Sequence, residues 1–284
     1  MKSLPLILRD IRIEHTLFAL PFAVMSAFIA AGGMPETGTL ALIVIAMFFA
    51  RSAAMAFNRL ADARFDAANP RTAKRPLASK KAGSVSYIVF IVVSSAAFCV
   101  TAWYINRLAF MLSPAALGVV FLYSYTKRFT PYSHFFLGFA LSLAPIGAWV
   151  AVKGEITAVP LLLGSAVIFW LVGLDIIYSC QDVDHDKSAG LYSIPSRFGI
   201  ERALRISYAA HICMVIFLLL SFIFAPQLGT VYIVGVILTA ALLWYEHSLV
   251  KPDDLTKVNE AFFNVNGVIS VGLMIFTATD TLLS

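Results

Sequence analysis

Two acidic clusters carry the chemistry open to this chain: Asn58-x-x-x-Asp62-x-x-x-Asp66 and, 120 positions later, Tyr178-x-x-x-Asp182-x-x-x-Asp186. Residues four apart on a helix are neighbours, about 5 to 6 Å between β-carbons, so Asn58, Asp62 and Asp66 share a face. At about 100° per residue, Asp175, Asp182 and Asp186 fall within roughly 40° of one another, with Tyr178 on the same side. Such oxygen donors suit magnesium, a hard cation that commonly takes one or two carboxylates and leaves its other positions to water and substrate phosphate. Each cluster is half of a divalent-metal and diphosphate site. The basic residues around them, Arg71, Lys74, Arg75, Lys127, Arg128 and Arg197, are the candidates for neutralising the phosphate.

The elements that must hold these clusters are membrane helices. The 284 residues are 60% hydrophobic and 13% charged, with a mean hydropathy of +0.85, a composition that a water-wetted surface does not tolerate. An all-α, polytopic bundle is expected, with nine spans near 15–33, 38–58, 85–105, 108–125, 133–152, 158–180, 204–224, 229–247 and 262–282. Asn69-Pro70 and Ser188-Ala189-Gly190 are stop signals, so each acidic cluster is expected on the last turns of a helix leaving the bilayer. Carboxylates oppose the macrodipole there, and their stacking calls for a compensating cation. Asp175, a turn before the exit, is expected to face a cavity.

Nearly all Lys and Arg fall in loops on one side. The opposite side receives only Arg107 and Lys153, which places the N-terminus and both clusters in the cytoplasm and the C-terminus outside, in the cell's inner membrane. The net charge of +5 then describes one membrane face, and no nucleic-acid partner is expected. Arg9, Arg12 and Glu14 precede a full-length first span, unlike a removable signal. Cys99, Cys180 and Cys213 read as packing residues. His15, His134, His185, His211 and His247 are too scattered for a ligand set, and Glu246 and Asp280 look peripheral.

The stretch Arg51-Ser-Ala-Ala-Met-Ala-Phe-Asn58-Arg-Leu-Ala-Asp62-Ala-Arg-Phe-Asp66, with Asn-Pro-Arg71-Thr-Ala-Lys-Arg75-Pro-Leu after it, resembles the first signature of the UbiA superfamily of membrane prenyltransferases. Asp175-Ile-Ile-Tyr178-Ser-Cys-Gln-Asp182-Val-Asp-His-Asp186 resembles the second. Tyr125-Thr-Lys127-Arg128-Phe-Thr, Ser193-Ile-Pro-Ser-Arg197-Phe-Gly and Ala261-Phe-Phe-Asn264-Val-Asn266-Gly extend the likeness over most of the chain. The resemblance implies one domain over 1–284, with nine transmembrane helices around a central cavity opening at the cytoplasmic side. It also implies magnesium held by Asn58, Asp62, Asp66, Asp182 and Asp186, with Asp175 and Tyr178 joining the aspartates in catalysis. Its closest members join a polyprenyl chain, from polyprenyl diphosphate, to a ring carbon of an aromatic acid, typically 4-hydroxybenzoate, in quinone synthesis. Asn264 and Tyr125 join the expected substrate contacts, and no obligate protein partner is expected.

Arg51 lies about two turns inside the second span, where a guanidinium needs an anion. Either Asp175 or the carboxylate of the aromatic acceptor can supply it. Two alternatives stay open on the sequence. Asn58-Arg-Leu-Ala-Asp62, where some hydroxybenzoate enzymes have Asn-Asp-Tyr-Ala-Asp, leaves room for a futalosine-derived benzoate of menaquinone synthesis as acceptor. From another class, an ion-coupled transporter would also use intramembrane carboxylates.

Overall fold

Lipid offers a backbone no hydrogen-bond partner, so each apolar stretch folds as a helix that satisfies its own amides. The computed structural model describes residues 4–11, 19–70 and 72–284. Its helices are α1 (Leu4–Asp10), α2 (Leu20–Ala31), α3 (Thr37–Ala68), α4 (Ser84–Ile105), α5 (Arg107–Thr126) and α6 (Ser133–Lys153). They continue as α7 (Ala158–Ser179), α8 (Val183–Ser188), α9 (Ile194–Phe198), α10 (Ile200–Phe224), α11 (Thr230–Leu249) and α12 (Asn266–Leu283). A 3-10 turn, Cys180–Asp182, joins α7 to α8, and a π-helical segment, Glu260–Val265, leads into α12. Among the described residues there is no strand, only one bridge between Lys251 and Asp254.

Eight helical segments are long and apolar enough to cross a membrane, and they coincide with eight of the nine expected spans. The exception is the first. Within 15–33 the described helix is α2, 12 residues long, which rises only about 18 Å against a hydrocarbon thickness of roughly 30 Å. Residues 15–18 of that span, His15 among them, lie outside the described residues.

Length explains where the first acidic cluster sits. The 32 residues of α3 make a rod of about 48 Å, of which some 20 residues suffice to cross, so its last dozen or so project past the hydrocarbon. The helix then stops where Asn69-Pro70 predicts. The Asn69 N–H and the Thr72 hydroxyl both donate to the Asp66 carbonyl, the latter at 3.0 Å. The second cluster departs from the expected uniform helix. The hydroxyl of Ser179 (3.0 Å) and the thiol of Cys180 (3.3 Å) both bond back to the Ile176 carbonyl, and at this crowded acceptor the backbone tightens into the 3-10 turn. At about three residues per turn, Asp182 and Asp186 leave the register that a continuous α-helix would give them.

Helix α7 is the hub, packed on α6 and α10, while α3 packs on α4 and α5, and α12 on α2 and α11. Trp170 of α7 is fully buried against Phe22, ring centroids 4.8 Å apart, in a core shared with Met214, Leu218 and Tyr232. Helices α6 and α7 approach so closely at Gly138 that a β-carbon there would lie 2.8 Å from the Ile168 carbonyl oxygen. Apolar side chains such as Val85, Val92, Trp103, Ile237 and Trp244 face outward, as a lipid-facing periphery requires.

Two acids expected at the periphery are interior. Asp280 is buried and accepts the N–H groups of Gly229 and Val231, satisfying orphan donors at the start of α11. Glu246, with no exposed surface, accepts from Asn266 at 2.7 Å, whose own carbonyl oxygen takes the Trp170 indole N–H at 2.6 Å. Beside this pair, His211 and His247 meet at 2.9 Å despite their separation in sequence. Burying an acid in an apolar interior demands such partners, and spacing along the chain does not reveal them.

Candidate active site

On the projecting end of α3 the i, i+4 spacing acts as expected. The Asn58 amide donates to Asp62 at 2.9 Å and reaches Ser124 of α5 at 3.5 Å. Its carbonyl oxygen accepts from Arg59 at 3.2 Å, which fixes the amide orientation, because a guanidinium only donates. Asp62 also lies 3.4 Å from Arg128, which donates at 2.7 Å to the Ala61 carbonyl and sits over the rings of Tyr125 and Phe65 at 4.7 and 5.2 Å. Both oxygens of Asp66 are 2.7 Å from one nitrogen of Arg75. The compensating cations that stacked carboxylates call for are therefore the chain's own.

The second cluster begins inside the bundle. His134 donates from Nδ1 to Asp175 at 2.6 Å, and its Nε2 accepts the backbone N–H of Ile194 at 3.3 Å. With Nε2 accepting, the proton must sit on Nδ1, so this contact alone settles the tautomer. Close packing at Gly138, one turn along α6, brings the two side chains together. Asp186 is 2% exposed, and its Oδ2 has no hydrogen-bond partner among the described residues.

The clusters meet at Lys127. Burial works against its charge, but Asp186, Asp175, Asp182 and Asp62 together outweigh burial and hold the ammonium above its ordinary value. The Lys127 carbonyl takes the Tyr192 N–H at 2.8 Å, tying the α5 exit to the loop after α8. Tyr123 likewise stands within electrostatic reach of Arg59, Asp62, Arg51 and Asp175, so charged groups of both clusters surround it.

Of the residues singled out in the sequence, Asn58, Asp62, Asp66, Arg75, Lys127, Arg128, Asp175, Asp182 and Asp186 come together here. Arg51 is half-buried on α3 near Tyr123. Tyr178 packs tilted against Phe262 at 4.3 Å, and Tyr125 packs edge-on to Phe57 at 5.8 Å. Lys74, Arg197 and Asn264 are exposed, with no side-chain partner in the cluster among the described residues. Arg71 lies outside the described residues. Sequence reasoning missed His134, Tyr123, Arg59 and Ser124. Only His134 left a signal, a titratable ring at the start of an apolar span.

The donor set suits a hard divalent cation. Among the described residues no three His, Cys, Asp or Glu side chains converge to hold an ion by themselves. The orphaned Oδ2 of Asp186, buried beside Lys127 and the other carboxylates, is an acceptor in want of a cation.

Residues 19–268 match the UbiA prenyltransferase family. The chain belongs to that family. Among curated UbiA relatives, the 4-hydroxybenzoate octaprenyltransferase of Vibrio atlanticus is 29% identical over 263 residues, 92% of each chain. An apo UbiA homolog from Aeropyrum pernix superposes with a TM-score of 0.85 at 33% identity, covering 95% of this chain and 98% of that one. A UbiA homolog from Archaeoglobus fulgidus bound to GPP and Mg2+ shares the fold, with a TM-score of 0.71 at 21% identity over 98% of this chain and all of the other. This UbiA chain is an integral membrane prenyltransferase, which displaces the transporter reading.

Proposed function

We propose that the chain transfers a polyprenyl group from a polyprenyl diphosphate to a ring carbon of an aromatic acid of the 4-hydroxybenzoate kind, with magnesium, in quinone biosynthesis. The observation that carries this reading is the meeting of two carboxylate clusters around Lys127, with a buried oxygen of Asp186 left for a cation. The names of the UbiA relatives favour 4-hydroxybenzoate over a futalosine-derived acceptor.

On this reading Asn58, Asp62, Asp66, Asp182 and Asp186 would hold magnesium, which would supply Lewis-acid neutralisation of the diphosphate charge. Lys127, Arg128 and Arg75 are the groups for the phosphate oxygens, with Lys74, Arg197 on α9 and, from the sequence, Arg71 as further basic candidates. As the allylic carbon–oxygen bond breaks, the ring faces of Tyr178 and Tyr125 stand against the developing cation. The acceptor ring carbon forms the new bond and loses its proton, and diphosphate departs. Arg51, within electrostatic reach of Tyr123, takes as its anion either Asp175 or the acceptor carboxylate on this reading. Asp175, held by neutral His134, and Asn264 at the π-helical bend border the acceptor.

The unit comprises the whole chain, 1–284, with 15–33 as the ninth crossing. Both clusters and the N-terminus face the cytoplasm across the inner membrane, and the C-terminus lies outside. Purified protein in detergent, given one polyprenyl diphosphate and a panel of aromatic acids, is expected to prenylate 4-hydroxybenzoate with magnesium and to stop with chelator. Product from only a larger benzoate would move the acceptor to the menaquinone class, and chelator-resistant turnover would remove the metal from the reading.

A further inference from the structure

Helix α1 lies outside both acidic signatures and is largely exposed, yet Ile7 and Asp10 on its inner face are buried. Ile7 and Ile11 are 2% exposed against Ala56, Leu77, Ala82, Tyr87 and Ile91. Asp10, the last residue of α1, is 8% exposed and accepts the hydroxyl hydrogen of Tyr87 on α4. Its other oxygen is 3.6 Å from Nε of Arg59, which is itself 7% exposed. Arg59 donates to the carbonyl oxygen of Asn58, and the Asn58 amide donates to Asp62.

We propose that Asp10 is a positioning residue for the first acidic motif, acting through Arg59 and Asn58 on Asp62, so that the docked α1 helix is part of the active-site support. The physical basis is that a buried guanidinium takes the direction its counterion gives it. Asp10 and Tyr87 aim Arg59 so that its remaining N–H holds the Asn58 oxygen. That hold turns the Asn58 nitrogen toward Asp62 and restricts the carboxylate to one rotamer. Outer partners of this kind set ligand orientation, and losing one costs about 10–100-fold in metal affinity or activity. The inference rests on the magnesium prenyltransferase reading above, but the contacts themselves, an Asp10–Arg59 ion pair flanked by the Tyr87, Asn58 and Asp62 hydrogen bonds, hold whatever the acceptor is.

The test compares the full-length protein with Asp10→Asn and Tyr87→Phe, and with Glu201→Gln on exposed α10 as control. Asp10→Asn is expected to raise the magnesium concentration for half-maximal turnover about tenfold or more, with the acceptor KM unchanged. Tyr87→Phe should shift it less, in the same direction, and the control should not move. A double variant with Asn58→Ala should lose little beyond Asn58→Ala alone, because both act on Asp62. Hydrogen exchange of the 56–66 segment, read without substrate or metal, should quicken in Asp10→Asn and in Tyr87→Phe, which keeps the ion pair should the first variant fold poorly. Unchanged exchange in both, or full additivity with Asn58→Ala, overturns the proposal. Quickened exchange in the variants, with a wild-type protein that never turns over a prenyl diphosphate, instead overturns the functional reading and leaves the positioning role standing.

Discussion

At the residue scale, the acids of this site already have partners before any metal arrives. Asp62 is shared by Asn58 and Arg128, Asp66 is held by Arg75, and Asp175 by His134. Replacing Asp62 or Asp182 by Asn keeps the shape and removes the charge, so each substitution is expected to lower kcat by about a hundredfold or more while the protein still purifies folded. Near-normal turnover in either would remove that cluster from the mechanism. Lys127 gives a prediction in pH. Its folded value lies above the ordinary 10.5, so its stabilising charge is fully present below that pH and is lost as pH rises through the folded value. Lys127→Met should therefore be less stable than wild type at neutral pH, with the gap closing above about pH 10.5; a gap constant across alkaline thermal melts would count against the ammonium as the common counterion of both clusters. Four-residue spacing made Asn58, Asp62 and Asp66 legible in advance, because the helix they ride is regular. Asp10, Tyr123 and His134 were not legible, since their roles depend on which helices pack together, and local spacing carries no information about that.

At the element scale, two kinds of boundary contrast. The end of α3 could be read from Asn69-Pro70 because the proline removes a donor and forbids continuation. The break at Cys180–Asp182 could not, for it arises from side chains competing for the Ile176 carbonyl inside a sequence with no Gly or Pro. Eight of the nine spans were legible from hydropathy, whereas the buried acids Glu246 and Asp280 were misplaced, because their partners come from other helices. The junction that matters most for the site is α6 against α7 at Gly138. Gly138→Ala is expected to force these backbones apart, costing about 1–3 kcal/mol and loosening the His134–Asp175 contact one turn away. A lowered Tm together with reduced kcat would agree with this; an unchanged Tm would show that the junction has slack.

At the scale of the whole molecule, the eight crossing segments present an apolar outer surface, while the charged groups that matter gather at one end of the bundle. On the proposed reading, ligand binding there would tie α3, the α5 exit and the α7–α8 junction into one body. A prenyl diphosphate with magnesium at about 100 times its Kd should stabilise the fold by about 2.7 kcal/mol, seen as a raised Tm that neither component gives alone. A full shift with the diphosphate and chelator would mean that the ion plays no part in closing the bundle.

The arginines seated on Asp62 and Asp66 have one more consequence. An ion reaching those carboxylates would, on the proposed reading, displace Arg128 and Arg75 just as a polyanionic leaving group needs grips of its own. On the proposed reading, arrival of the reactants is an exchange of escorts, in which acids trade arginine for metal and the freed arginines turn to the newcomer. An empty enzyme then keeps its electrostatic balance without scavenging ions, and it hands over only to a cargo that brings both charges at once.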